Sequence, residues 1–205
     1  MKAERCGLPK RVDHDERKRH IAGALLRIAE EQGLQHASMR QVAAAAEVSV
    51  RLVQYYFNTK DELLITAVGY LAEQLGDRVR ERLVALGSPP PPRVFVTETL
   101  LAVLPLDPES VRLSRTFAAF YSLGLAEPEL TRHGVPHPDR LERLLATQLR
   151  AADRPEPELT AAGLLALTNG LTSSVLGGQR DGAAAVTVLR YHLDLVFGPE
   201  TPGGQ

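Results

Sequence analysis

The chain has 205 residues, 44% of them hydrophobic and 24% charged, with a formal net charge of −1. That length suits one large domain or two small ones with a sizeable core, and the apolar content is ordinary for a globular protein. Cys6 is the only cysteine, which excludes an internal disulfide and fits a reducing cytoplasm; no segment approaches the ~20 apolar residues of a membrane span, and the N-terminus lacks the apolar core of a signal peptide.

Residues 1–12 carry Lys2, Arg5, Lys10 and Arg11 among Gly and Pro and read as a flexible basic arm. Asp13 with Glu16 is expected to cap the first helix, whose buried stripe is Ile21, Leu25 and Ile28, and Gly33 is its terminator. The start of this helix, Arg17, Lys18 and Arg19, is placed to approach a nucleic-acid backbone.

The next stretch, residues 38–63, carries the chemistry. Ser38 and Gln41 fit a capping box, and Met39, Val42, Ala43 and Ala46 recur at helical spacing. Glu47-Val48 makes a turn, Ser49 caps a second short helix, and Thr59 with Glu62 forms another capping box. On a helical wheel Val53 and Phe57 fall together and face the core. Arg51, Gln54 and Tyr55 lie opposite, with Leu52 at the edge. Arg can bond guanine O6 and N7, Gln can bond adenine N6 and N7, and Leu52 suits a thymine methyl. Ser38, Tyr55, Tyr56 and Lys60 surround that face with phosphate-binding groups, and Arg40, Ser49 and Val50 complete the DNA-binding set. The spacing is that of a helix-turn-helix whose second helix reads the major groove. The competing reading is a helical hairpin with a solvated polar face.

The stretch resembles the DNA-binding signature of the TetR family of bacterial regulators. Ser38, Val42-Ala43, Ala46, Val48-Ser49, Tyr55-Tyr56-Phe57, Lys60-Asp61 and Leu63 are in register with it. Glu47 stands where the family usually has Gly, Arg51 where a small residue is common, and Gln54 where Tyr is common. The charge distribution agrees with a DNA-binding head. Residues 1–60 contain 11 Lys+Arg against 7 Asp+Glu, leaving 13 against 18 for the rest.

Beyond Asp61 the pattern stays helical to about Leu86, where Pro89 to Pro92 forbids continuation. Helices follow over Arg93–Val103 and from Asp107-Pro108, a cap followed by Pro at the first helical position, to about Leu125. Glu127-Pro128 restarts the chain, and Gly134 to Pro138 interrupts a helix that resumes over Asp139–Ala151. The last two helices run from Glu158 to Leu176 and from Gly182 to Phe197. No period-2 alternation reads as a strand, so the fold class is all-α: a helix-turn-helix domain over 13–60, then a helical regulatory and dimerisation domain over 61–205.

The second domain more loosely resembles the family's regulatory domain, with Asn169-Gly170-Leu171 where a subgroup with a choline-regulator-like C-terminal domain often has Asp-Gly-Leu. The resemblance implies a homodimer on double-stranded operator DNA, built from the last two helices, and a pocket for a small-molecule effector among the middle ones. Leu164, Leu167, Leu171 and Val175, with Val186, Leu189, Leu193 and Val196, recur at helical spacing and are the candidate dimer residues; the stripes are otherwise used inside the subunit. Tyr70, Phe95, Thr99, Phe117, Phe120 and Tyr121 are the candidate ligand residues, and they read equally as packed core. No charge lies in 116–125, so an uncharged ligand is expected.

No cofactor and no enzyme activity are expected. His133 and His137 have a metal-compatible spacing, but Gly134, Pro136 and Pro138 argue against a regular helix and no third ligand stands out. No nucleophile elbow or phosphate-binding loop is present. The leading function is a repressor released by its effector. A dimeric regulator without an inducer and a helical enzyme or adaptor are the alternatives.

Overall fold

The computed structural model describes residues 10–127 and 139–199. Among these residues every regular element is helical: α1 (Lys10–Glu31), a short 3-10 turn (Leu34–His36), α2 (Met39–Ala45), α3 (Val50–Tyr56), α4 (Lys60–Val84), α5 (Pro92–Val103), α6 (Pro108–Ala126), α7 (Asp139–Ala151), α8 (Pro157–Leu176) and α9 (Gly182–Phe197). The restart at Pro128, the interruption around Pro136 and the pair His133/His137 lie outside the described residues, as does most of the basic arm.

Local chemistry accounts for most boundaries. Gly33 takes φ 92°, in the left-handed region, just after α1 ends. Pro occupies the first turn of both α5 and α8. At the start of α6 the Asp107 carboxylate accepts from Ser110 N–H at 2.9 Å, while Ser110 Oγ accepts from Leu106 and Asp107 N–H at 3.0 Å each. That backbone hydrogen bond, with Arg78 beside it, outweighs burial and holds the Asp107 carboxyl below the usual carboxylate range.

Two expected ends differ. Asp13 lies inside α1 rather than at its cap, because no Pro or Gly between Lys10 and Asp13 breaks the helix. Thr59 Oγ1 does accept from Glu62 N–H at 3.1 Å, but the Glu62 carboxylate reaches past Thr59 to accept from Asn58 N–H at 2.9 Å.

The chain groups into two compact units, and α4 and α6 each supply residues to both. One comprises the chain as far as Leu71 with the segment from Ala119; the other runs from Ala72 to Ala118 and includes α7, α8 and α9. This grouping passes through α4 rather than falling at residue 60. In the first unit Ile21, Leu25 and Ile28 of α1 are buried, as are Val42, Ala43 and Ala46 around α2 and Val53 and Phe57 around α3. A fully buried side chain of this size contributes about 1.5–3 kcal/mol.

The second unit has its own core. Val96 and Leu100 from α5 with Leu104 just past its end, Leu145 and Leu149 from α7, Leu164, Leu165 and Leu171 from α8, and Leu189 and Leu193 from α9 form one buried cluster. Arg82 pairs with Glu98, Arg78 with Asp107 and Arg93 with Asp194.

This core corrects the expected dimer stripe. Leu164, Leu171, Leu189 and Leu193 are buried within the unit, and Leu167, Val175, Val186 and Val196 are partly buried against the same cluster. A helix turns its strongest apolar stripe to the nearest core, and here that core is the subunit's own. α8 exposes Glu158, Leu159, Gly163, Ala166, Asn169, Gly170 and Ser173, among which Leu159, Gly163, Ala166, Gly170 and Ser173 recur at alternating steps of four and three residues; α9 exposes Ala183, Ala184, Thr187, Arg190, Tyr191 and Leu195. The expectation that no helix suits a membrane also changes: α8 is long and apolar enough to cross one by length and composition. Its many Ala, Gly, Thr and Ser residues, with Glu158 as the one charge, raise the average without making the helix uniformly greasy.

Candidate nucleic-acid interface

The candidate interface is assembled by two caps and a turn. Ser38 Oγ accepts from Gln41 N–H at 3.2 Å and Gln41 Oε1 accepts from Ser38 N–H at 3.2 Å, a complete capping box that starts α2. Ser49 Oγ accepts from Leu52 N–H at 3.1 Å and starts α3.

Between them the turn is a Schellman motif. Val48 N–H bonds Ala43 C=O at 3.0 Å and Glu47 N–H bonds Ala44 C=O at 3.1 Å. Glu47 sits at φ 54°, so the left-handed position that usually takes Gly is held here by a residue with a side chain. The turn geometry survives the departure from the family pattern.

The carbonyls at the end of α2, which have no partner within the helix, are then all accounted for. Val42 C=O accepts from Ala46 N–H, Ala43 and Ala44 serve the turn, Ala45 C=O accepts from the Arg27 guanidinium at 3.1 Å, and Ala46 C=O lies 2.8 Å from His20 Nε2. Two side chains of α1 thus latch the end of α2 just before the reader. His20 and Arg27 are seven apart on one face of α1, but their partners are 26 and 18 residues away, so no local pattern pointed to them.

α3 carries the face that the sequence pattern predicts. Val53 and Phe57 are fully buried, while Arg51, Gln54 and Tyr55 are exposed and Val50, Leu52 and Tyr56 are half-buried. Ser38, Arg40, Ser49 and Lys60 are exposed around it. Tyr55 is 70% exposed despite being aromatic, which a folding role does not require.

A ring cluster missed by sequence reasoning supports this face. His14 meets Tyr56 edge-on at 4.5 Å between centroids and Tyr55 at 6.1 Å, and the two tyrosines meet edge-on at 5.2 Å. Arg17, Lys18 and Arg19 lie inside α1 rather than at its start, because the helix begins at Lys10; the Lys18 ammonium lies 5.9 Å from the Phe57 centroid and the Arg19 guanidinium 5.0 Å from that of Tyr70. Both are engaged with aromatic rings of their own unit, and Arg17 is exposed.

The candidate ligand residues divide between the units. Phe95, Thr99 and Phe117 belong to the second, with Thr99 fully buried and the two phenylalanines half-buried. Tyr70, Phe120 and Tyr121 belong to the first. Tyr70 carries the Arg19 guanidinium over its ring, and Tyr121 is 67% exposed, so neither encloses a site with the other candidate residues. Helical spacing gives the angle of a residue on α6 but not which side of α6 meets a neighbour. Among the described residues no three of His, Cys, Asp and Glu are grouped to hold a metal.

Residues 21–67 match the model of bacterial regulatory proteins of the tetR family, and residues 92–198 match that of the C-terminal domain of BetI-type transcriptional repressors. The chain is 28% identical to the HTH-type transcriptional regulator BetI of Serratia proteamaculans over 193 residues, covering 91% of this chain and 95% of that one. It is 34% identical to the HTH-type transcriptional regulator PksA of Bacillus subtilis over 113 residues, 55% of this chain and 54% of PksA. A transcriptional regulator from Rhodococcus sp. Rha1, known from its crystal structure, superposes with a TM-score of 0.73 at 28% identity, over 87% of this chain and 95% of that one.

Proposed function

Because the chain belongs to the TetR family of transcriptional regulators, with a C-terminal half of the BetI type, we propose that it is a homodimeric repressor that α3 seats on a two-fold operator and a small apolar effector releases. Regulators of this family bind operator DNA and act as dimers, so the proposal concerns which residues do so here. The observation that carries it is the two-sidedness of α3: Val53 and Phe57 fully buried, Arg51, Gln54 and Tyr55 exposed. Arg51 and Gln54 read base edges, Leu52 meets a thymine methyl, and Ser38, Arg40, Ser49, Tyr55, Tyr56 and Lys60 hold phosphates or the register. Acting on DNA places the protein in the cytoplasm.

The dimer surface we propose is the outward side of α8 and α9, with Leu159, Gly163, Ala166 and Gly170 on one and Ala184, Tyr191 and Leu195 on the other. Small residues on α8 allow close helix approach, and Tyr191 and Leu195, 60% and 66% exposed, are costly to leave in water. Two such helices from each copy form a four-helix seam, with the readers about 34–36 Å apart or a multiple of that. The effector site is placed along α5, at Phe95 and Thr99, and the effector acts by its difference in affinity between the DNA-competent and released states.

Selection of bound duplexes from a random pool tests the function. A two-fold consensus with half-sites one or more helical turns apart supports it, and recovery of unrelated sequences overturns it. Screening a metabolite library for release of that consensus separates an effector-controlled repressor from a regulator without an inducer.

A further inference from the structure

Threonines inside helices usually donate their hydroxyl to the carbonyl one turn earlier. In this chain Thr66, Thr97, Thr116, Thr147, Thr168 and Thr187 all do so, at 2.8–3.0 Å. Thr99 is the contrast that matters. It lies in the middle of α5, is 0% exposed, and its Oγ1 has no hydrogen-bond partner. The other unpartnered threonine hydroxyl, on Thr172, belongs to a residue that is only half-buried. A buried hydroxyl without a partner opposes folding, so a fold keeps one where something satisfies it in another state of the molecule.

The surroundings define what that something is. Phe95 stands one turn before Thr99 on α5, and Ala102 and Val103 stand one turn after it. The two charges on α5 itself are both paired, Glu98 with Arg82 and Arg93 with Asp194, and Arg78 nearby on α4 pairs with Asp107. A cationic or anionic ligand would therefore have to break an existing pair to find its counter-charge, at a desolvation cost. An apolar molecule presenting one oxygen breaks none of these pairs and gives the buried Thr99 hydroxyl a partner.

We propose that the Thr99 hydroxyl is the hydrogen-bonding anchor of the effector site, and that the effector is a neutral molecule with an apolar body and a carbonyl or ether oxygen. The proposal rests on the reading of this chain as an effector-released repressor and adds the chemical class of the effector to it. Thr99 gives the discrimination, because a site built to bond an oxygen rejects the analogue without it more strongly than an apolar pocket rejects a change of shape.

The test compares the full-length wild type with Thr99→Val, which keeps the shape and removes the hydroxyl, and Thr99→Ser, which keeps the hydroxyl. Each is melted alone, with 4-phenylbutan-2-one, and with butylbenzene, the ketone's counterpart without oxygen; calorimetric titration gives the affinities. Without probe, Thr99→Val melts above the wild type because the unpaired hydroxyl is gone. The ketone binds the wild type and Thr99→Ser, and binds Thr99→Val about tenfold more weakly, while butylbenzene binds all three alike. A Thr99→Val protein that melts at or below the wild type shows the hydroxyl already paired in the free protein and overturns the proposal. Equal ketone affinity in wild type and Thr99→Val overturns the anchor but leaves the effector-released repressor standing. If neither probe binds the wild type, the proposal falls. The wider reading is then judged by whether a metabolite extract releases the wild type from its selected DNA, a readout independent of Thr99.

Discussion

Glu47 offers a direct measurement of what the helix-turn-helix turn costs. It occupies the left-handed position of the Schellman motif between α2 and α3, at φ 54°. A residue with a Cβ pays about 1–2 kcal/mol there. The motif at the end of α8 is built identically and uses Gly178, at φ 71°. Replacing Glu47 with Gly removes the steric cost and adds about 0.4–1 kcal/mol of extra freedom in the unfolded chain, so a net gain of about 0.5–1 kcal/mol is expected. Glu47 is exposed and has no ion pair among the described residues, so little else is lost. For a chain of this length the gain corresponds to about 1–4 °C in the melting of the unit that contains the turn. Urea and thermal unfolding followed by circular dichroism read it, with amide exchange at Val48 reporting on the turn itself. Glu47→Ala is the control, because Ala pays the same left-handed cost and should leave stability near the wild type. Operator affinity should hold in Glu47→Gly, since the hydrogen bonds of the turn are backbone bonds. Equal stability of the Gly and Ala variants refutes the strain argument.

Other substitutions separate the roles assigned above. Arg51→Ala should cost about 1–3 kcal/mol at the selected site and relax choice at one base pair, whereas Lys60→Ala should weaken all sequences alike and reduce the salt slope by roughly one; binding titrations on matched and mismatched duplexes at several salt concentrations tell them apart. Tyr191→Asp combined with Leu195→Asp should give folded monomers by analytical ultracentrifugation, because both side chains face outward, while Leu189→Ala should lose about 2–5 kcal/mol of stability by opening the core. A dimer that persists in the double variant places the seam elsewhere. Asp107 has its carboxyl lowered from 3.8 in the folded state, so the proton binds more tightly to the unfolded chain. Its contribution is present above pH 3.8 and fades as pH falls below that value through the folded one. Asp107→Asn should therefore melt below the wild type at pH 7, with the gap closing toward pH 3; a gap that is constant with pH would assign the effect to something other than the carboxylate's charge.

The element boundaries were legible in the sequence because they are set by local chemistry. The capping box at Ser38, the N-cap at Ser49, the prolines before α5 and in the first turns of α6 and α8, and Gly33 each act within four or five residues, so reading the chain in order finds them. The two-sidedness of α3 was legible for the same reason: Val53 and Phe57 are one turn apart, and a wheel needs only the period of the helix. Apart from the two helix starts at Asp13 and Thr59, the failures concern partners distant in sequence. Periodicity showed that Leu164, Leu171, Leu189 and Leu193 form stripes, but a stripe does not name its partner, and the subunit's own core takes them. The face we propose for a second copy mixes small residues with Leu159, Tyr191 and Leu195 and the polar Asn169 and Arg190, which no hydrophobic pattern singles out. Tyr70 and Tyr121 were both candidate ligand residues, yet one lies under Arg19 and the other in solvent. The latches from His20 and Arg27 to the end of α2, and the unpaired hydroxyl of Thr99, exist only once helices far apart in the chain are packed. A backbone hydrogen bond or a cap is decided by neighbours in sequence, whereas burial, pairing and exposure are decided by which surfaces the whole chain brings together.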